Sequence, residues 1–177
     1  MTFHDLCRVR QSCRRFDPNR KVEPEKIKTI LENVRLSPSA CNSQPYFFTV
    51  CCGEKAKEVA KSTTGMGMNR FTSSCPIMIV VSEMPYNATA AAGAKLKKND
   101  YRSLDIGIAT AILTFSAEEV GLSTCILGWF NEEKIRSLCD LEGNVRLVIA
   151  LGYAEEGDTL RPKKRKGVNE ISKILGE

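Results

Sequence analysis

The spacing of apolar residues changes along the chain, and each change marks a predicted helix or strand. Pro24 is tolerated in the first turn of a helix, and apolar residues follow it at helical spacing, namely Ile27, Ile30, Leu31 and Val34. Further helices are predicted over residues 3–9, 54–62 and 132–139. Apolar runs rich in β-branched and aromatic residues predict strands over residues 46–52, 77–81, 122–127 and 145–153.

The longest helix pattern covers residues 100–120, and its middle is apolar on nearly every side. A helix of this kind must be buried on every side, against its own sheet and against a second subunit. Gly107, Ala109 and Ala111 are small enough to let another element approach closely. We therefore predict a homodimer built around this helix, which Gly121 ends as a C-terminal glycine does.

The order helix, strand, helix, strand, long helix, strand, helix, strand predicts a mixed sheet between helices. No repeat or linker divides the chain, so residues 1–177 are expected to form one domain. No continuous apolar run is long enough to cross a bilayer, and we expect no membrane partner.

A polar loop of small residues, Ser37 to Pro45, separates the second helix from the first strand. Its serines and Asn42 offer neutral hydrogen-bonding groups without bulk or charge. Such groups suit a ligand with hydroxyls and ring heteroatoms. A loop of this composition is also typical of a simple connection.

Basic residues alternate in two segments near the ends of the chain. Arg10, Ser12 and Arg14 point to one side if their segment is extended, and together they make a site for a phosphate. Lys163 and Arg165 alternate in the same way within residues 161–166. Either segment alone is also typical of a solvated basic surface.

Composition narrows the choice of partners. Hydrophobic residues make up 42% and charged residues 27% of the 177, as in ordinary globular proteins. The net charge of +5 is mild, and a small anionic ligand is a sufficient partner for it. Because no nucleic-acid motif is present, we expect no nucleic-acid partner.

Eight cysteines with a single histidine and no C-x-x-C spacing argue against a metal site. Most of these thiols are expected to be small buried groups. The polar residues 1–14 do not resemble a signal peptide, and free thiols suit a reducing cytoplasm, which is the expected location.

In their order and spacing, these features resemble the FMN-dependent nitroreductase family in its short, single-domain form. The matching motifs are Arg10-x-Ser12-x-Arg14-x-Phe16, Ser37-Pro-Ser-x-x-Asn-Ser-Gln-Pro45, Asp105-Ile-Gly-Ile-Ala109, Gly121-Leu-Ser-Thr-Cys125, Leu151-Gly-Tyr153 and Lys163-x-Arg165. The resemblance implies an α+β fold with a mixed, mostly antiparallel central sheet flanked by helices. It also implies an intertwined homodimer with FMN at the subunit interface.

The resemblance assigns the FMN phosphate to four residues, Arg10, Ser12, Lys163 and Arg165. Their charge-assisted hydrogen bonds would balance a dianion. It places Arg14 at the N1/O2 edge of the flavin ring, where a cation favours electron uptake. Gln11, in the same motif, is also expected to bind the cofactor.

The polar loop is expected to reach the FMN of the other subunit. Pro38 would pack against the ring, while Ser39 and Asn42 would bond the ribityl chain or the ring edge. Gln44 belongs to the same motif and is also expected to bind the cofactor.

The backbone of Leu127 and Gly128 is expected to face N5 of the flavin. Some family members carry glutamate where Leu127 stands, so the surroundings of N5 are expected to be less polar here. Gly128 is expected to be required for the backbone geometry. Asn69 and Arg70 are further candidates for the pyrimidine edge.

The implied reaction is a ping-pong transfer from NAD(P)H through FMN to an electron-poor acceptor such as a nitroaromatic, a quinone or another flavin. No side chain is assigned as catalytic. Residues 84–99 are expected to form a lid or rim, and residues 160–177 a basic tail and docking arm. The alternatives are a flavin-binding or flavin-processing protein without nicotinamide turnover, and a basic phosphate- or nucleic-acid-binding module.

Overall fold

Four strands form the central sheet of the computed structural model, which describes residues 1–176. The strands are β1 (Tyr46–Cys52), β2 (Ile77–Glu83), β3 (Ser123–Leu127) and β4 (Val145–Gly152). Their order in the sheet is β1-β2-β4-β3, and each pair of neighbours is antiparallel. A single parallel bridge joins Ser12 to Thr124 beside β3, so the mostly antiparallel sheet is confirmed.

Seven helices accompany the sheet in the described part of the chain. They are α1 (Phe3–Val9), α2 (Pro24–Arg35), α3 (Gly53–Thr63), α4 (Ala88–Lys97), α5 (Arg102–Glu119), α6 (Glu132–Cys139) and α7 (Val168–Ile171). Thr2 caps α1, because its hydroxyl accepts the Asp5 N–H at 3.2 Å. The helices and the sheet together confirm the α+β class.

The two central strands are apolar on both faces because helices cover both. Met78 and Val80 point to one face of β2, into a cluster that includes residues of α3 and α6. Ile79 and Val81 point to the other face, into a cluster with α2 and α5. This alternation explains the continuous apolar run that predicted a doubly covered strand.

Helix α5 buries one side within the chain and leaves another open. Leu113 is fully buried, whereas Leu104 is 56% and Ile108 41% exposed. The expectation of burial on every side is therefore not met within one chain. Gly121, at φ 78°, ends the helix as predicted, and the Leu122 N–H closes it on the Ala117 carbonyl at 2.8 Å.

Two segments differ from the sequence-based picture in their detail. Residues 84–99 contain α4, which the sequence did not predict because its alanine-rich stretch has no apolar face. In the tail, only α7 is helical, and Ile171 and Ile174 are 71% and 77% exposed. The lid and the docking arm remain predictions. No helix among residues 1–176 is long and apolar enough to cross a membrane.

All eight cysteines are free thiols, but fewer of them are buried than expected. The four buried ones are Cys13, Cys51, Cys75 and Cys125. Cys139 is half-buried, and its sulfur lies 3.7 Å from that of Cys51. Half of the cysteines, rather than most, therefore act as small core residues.

A thiol reagent is expected to label Cys7, Cys41 and Cys52 quickly in the folded protein, because these three are exposed. Burial raises the pKa of Cys13 to about 11 and of Cys75 to about 12, so their reactive thiolates are scarce. Mass spectrometry of protein alkylated before and after unfolding measures this difference. Rapid native labelling of the buried thiols would contradict their placement.

The same raised pKa values predict a loss of stability at alkaline pH. A thiol that ionises at 9.0 when unfolded but near 12 when folded stabilises the fold below pH 9.0, and this contribution is lost as the pH rises toward 12. Cys75→Ala should make the fall in the free energy of unfolding shallower over this interval. Urea titrations across that range test it, and an unchanged slope would contradict it.

Candidate functional site

The first part of the site is an extended segment that follows α1 and lies beside β3. The Cys13 N–H donates to the Thr124 carbonyl at 2.9 Å, next to the bridge between Ser12 and Thr124. Cys13 points into the core, while Arg14 is exposed and Arg10 is half-buried. The alternation predicted for Arg10, Ser12 and Arg14 is therefore consistent with the backbone.

The C-terminal basic segment lies directly on this N-terminal segment. The Gln11 side chain donates to the Thr159 carbonyl at 3.3 Å and accepts from the Arg161 N–H at 3.1 Å. The Arg161 guanidinium donates to the Ser12 carbonyl at 2.6 Å, and the Lys163 ammonium donates to the Arg10 carbonyl. The two basic segments are thus joined although about 150 residues separate them in sequence.

The joined segments concentrate positive charge. Desolvation lowers the pKa of the Lys163 ammonium, and the charges of Arg10 and Arg165 lower it further. The Arg165 guanidinium bonds only the neighbouring Lys164 carbonyl at 2.7 Å among the described residues, so most of its donors are available. Arg161 pairs with Asp158 at 3.3 Å, and Glu118 is the acidic neighbour of Arg10 and Lys163, so the cations remain in excess. This excess, beside the Ser12 hydroxyl, fits the phosphate of FMN in charge and in donor type.

Arg14 lies on the same side of the segment. Burial raises the pKa of the Cys125 thiol, and the positive charge of Arg14 and the nearby Ser12 hydroxyl partly oppose that increase. Arg14 therefore lies close to β3, with its guanidinium exposed. This position leaves it available to a ligand lying along the sheet edge.

The polar loop forms a second group with an unusual backbone. Cys41, Asn42 and Gln44 have φ values of 50°, 51° and 48°, in the left-handed region. The Ser39 hydroxyl accepts the Gln44 N–H at 3.0 Å, and the Gln44 amide donates to the Asn42 side chain at 3.1 Å. Pro38 is exposed beside them. No hydrogen bond or ion pair within residues 1–176 joins this loop to the basic segments.

The end of β3 leaves backbone open to a ligand. Leu127 is buried and pairs with Val148, while Gly128 is exposed just beyond the sheet. A Cβ at Gly128 would meet no atom within 4 Å, and its φ is not positive. The expectation that the chain's own geometry requires glycine there is wrong. Any such requirement must come from a ligand or a second subunit.

Asn69 supports the turn that follows β3. Its amide donates to the Trp129 carbonyl at 3.2 Å, and the Trp129 indole N–H donates to the Gly65 carbonyl at 3.0 Å. Because its amide hydrogens bond backbone, Asn69 has only its side-chain oxygen free for a ligand. Arg70 packs against Gly67.

Arg161 and Asn87 are two site-forming residues that the sequence interpretation missed. Arg161 has the same alternation parity as Lys163 and Arg165, and that signal could have included it. The Asn87 side chain caps α4 at the Ala90 N–H and also donates to the Cys41 carbonyl, both contacts near 3.0 Å. The only sequence signal for Asn87 is that it directly precedes an alanine-rich stretch, where an asparagine can cap a helix.

The Nitroreductase family model matches residues 7–69 and 64–153, and the chain belongs to that family. A Haemophilus influenzae protein named provisionally as an NAD(P)H nitroreductase is 23% identical, over 97% of this chain and 96% of that protein.

Solved structures share the fold. A nitroreductase family protein from Streptococcus pneumoniae has a TM-score of 0.82 at 24% identity, covering 98% of this chain and 100% of that one. A protein from Exiguobacterium sibiricum, named provisionally as a nitroreductase and solved in complex with FMN, has a TM-score of 0.80 at 20% identity, with 98% and 97% covered.

Proposed function

We propose that this protein is an FMN-dependent oxidoreductase that uses NAD(P)H to reduce an electron-poor acceptor, such as a nitroaromatic, a quinone or another flavin. The observation that carries the proposal is the joining of residues 10–14 with residues 159–165 into one cationic site beside an open strand end. The FMN complex of the Exiguobacterium sibiricum relative supports the cofactor. The name of the Haemophilus influenzae relative supports the donor.

Arg10, Ser12, Lys163 and Arg165 hold the phosphate in this proposal, and Gln11 holds the two segments together. A phosphate would add negative charge beside Lys163, where Arg10, Arg165 and Arg161 outnumber the single acidic neighbour Glu118, and this makes binding favourable there. Bound FMN supplies the hydride chemistry, and the chain supplies position and charge.

Arg14 and the turn after β3 act at the ring. An exposed guanidinium at the N1/O2 edge stabilises negative charge on that edge, and so it raises the reduction potential. The exposed backbone at Gly128 offers an N–H toward N5 without a side chain in the way. No side chain is given a catalytic role.

The polar loop completes the site from a second copy of the chain. Pro38, Ser39, Asn42 and Gln44 form a group of their own, so a homodimer would bring them to the partner's basic segments. Residues 84–99 lie against this loop through Asn87 and act as a rim, and the exposed apolar tail acts as a docking arm. The whole chain then works as one domain.

The visible absorption spectrum of the purified protein, before and after anaerobic NADPH and then NADH, tests the proposal. A flavin spectrum that bleaches with either nucleotide is the expected result. Bound flavin that neither nucleotide reduces would favour the flavin-processing alternative. Protein that stays colourless after added FMN, and instead binds RNA or DNA in a strongly salt-dependent manner, would support the basic binding module.

The homodimer has its own test. Phe3, Ile108 and Phe115 line an open apolar cleft of about 540 Å³ between α1 and α5, which a second copy would cover. Ile108→Arg is expected to convert the dimer to a monomer in light scattering, because the charge would be buried without a partner. Leu96→Arg, at an 81% exposed position on α4, is the matched control and should leave the mass unchanged. A wild-type protein that is monomeric would contradict the dimer.

A further inference from the structure

We propose that Asp105 is a positioning residue for the cofactor, because it fixes the polar loop in the conformation that presents Ser39 and Asn42. This inference rests on the proposed function. It gives a role to an acidic residue that the family motif contains but that none of the cofactor contacts above uses.

Asp105 is a buried carboxylate with an incomplete set of partners. It lies in the first turn of α5, and only 3% of the residue is exposed. Its Oδ1 accepts the Ala40 N–H at 3.1 Å, while Oδ2 is buried without a hydrogen bond among the described residues. A buried carboxylate is costly unless it is bonded, so this position is poorly explained by the stability of α5 alone. The N-terminal end of α5 offsets part of that cost.

Two further buried hydroxyls lie one at each end of the loop that Asp105 contacts. Ser37 precedes the loop and Tyr46 follows it, and neither hydroxyl has a hydrogen-bond partner among residues 1–176. Burial raises the pKa of the Tyr46 phenol, the neighbouring Ser37 hydroxyl lowers it, and the Asp105 charge adds to the increase. Asp105 is therefore near enough to Tyr46 for its charge to act on the phenol, and the loop begins and ends at buried hydroxyls that have no hydrogen-bond partner among the described residues.

The loop needs such an anchor because its backbone is strained. Left-handed φ at Cys41 and Gln44 costs about 1–2 kcal/mol for each residue, and neither is glycine. Asn87 holds the second half of the loop through the Cys41 carbonyl, and its N–H donates to the Ser43 hydroxyl at 2.9 Å. Asp105 is the corresponding anchor of the first half, through Ala40.

The hydrogen bond from the Ala40 N–H to Asp105 lies next to the two loop residues proposed to bind FMN. Ala40 directly follows Ser39 and lies two residues before Asn42, in the 3-10 turn Ala40–Asn42. Releasing the Ala40 N–H would let both side chains move together. Asp105 itself touches no group assigned to FMN, so it acts through the loop.

FMN titration of the purified dimer tests this role. Asp105→Ala removes the acceptor of the Ala40 N–H and is expected to weaken FMN binding about tenfold or more, which is the size of one charged hydrogen bond. Asp105→Asn keeps an oxygen for that N–H and should restore affinity to within about threefold of wild type.

A control separates positioning from general stability. Tyr153→Phe removes a buried hydroxyl that donates to Glu23 at 2.7 Å and accepts from Lys26 at 2.7 Å, away from the loop. It should lower the melting temperature without changing FMN affinity. Equal weakening by Tyr153→Phe and Asp105→Ala at matched loss of stability would overturn the inference.

A measurement on the unaltered protein covers the case in which Asp105→Ala does not fold. Hydrogen exchange at the Ala40 amide should be slow for a loop residue, because its N–H is bonded to the buried carboxylate. Exchange as fast as at the exposed Cys41 would overturn the inference. Wild-type protein that fails to bind FMN would instead overturn the proposed function, and the Ala40 exchange would still report whether Asp105 anchors the loop.

Discussion

Replacing Lys163 and Arg165 together by alanine is expected to weaken FMN binding by about two orders of magnitude or more. Each side chain would lose a charge-assisted contact with the phosphate, worth about 1.5–3 kcal/mol, and 1.4 kcal/mol corresponds to a factor of ten. The loss should be specific to the phosphate, because neither side chain is assigned to the ring. Fluorescence titration with FMN and with riboflavin, which lacks the phosphate, measures the difference.

The expected signature is that the preference for FMN over riboflavin falls by about the same factor as the FMN affinity, with Arg10 and Ser12 retaining the rest, while the affinity for riboflavin is unchanged. The matched control is the double variant Lys164→Ala, Lys166→Ala. It removes the same charge from the same basic run, but at the positions that alternate with Lys163 and Arg165. FMN affinity should then change only slightly, through long-range charge. Equal losses in both double variants would mean that net charge, and not a built phosphate site, binds the cofactor.

Local patterns predicted the secondary structure well because local interactions determine it. Helices α1 and α6 and strand β1 begin and end where the sequence placed them. Gly121 supplies the positive φ of a helix end, and the apolar alternation of β2 follows from helices on both faces. Helix α4 was missed because its alanine-rich sequence has no apolar periodicity. The only local sign of the helix is Asn87, whose side chain caps its first turn.

The candidate site was harder to predict because its contacts are long-range. Alternation placed Arg10, Ser12 and Arg14 on one side, but nothing local shows that Gln11 reaches the Arg161 backbone across 150 positions. The contact between Asp105 and the Ala40 N–H cannot be predicted from local sequence either, because it joins a helix to a loop 65 positions earlier. Family resemblance supplied the grouping of the basic segments, and the fold shows the physical links that produce it.

Gly143→Ala is expected to lower the free energy of unfolding by about 3 kcal/mol, the upper part of the range for overpacking. A Cβ at this position would overlap the Glu83 carbonyl oxygen and lie 3.1 Å from the Glu83 carbonyl carbon. These are backbone atoms, which cannot rotate away as a side chain can. The Glu83 N–H also donates to the Asn144 carbonyl at 2.8 Å, so the two segments cannot separate without losing that bond.

The ion pairs around Glu83 make relaxation costly as well. Its carboxylate is 10% exposed and binds Arg146 and Arg102, the latter at 2.6 Å, so a shift of this backbone disturbs a largely buried network. Gly93→Ala is the matched control, because Gly93 lies inside α4 and a Cβ added there would meet no atom within 4 Å, so this variant should gain about 0.5–1 kcal/mol. The same chemical change should therefore have opposite signs in urea unfolding. Wild-type stability in Gly143→Ala would mean that the turn before β4 does not press on the end of β2.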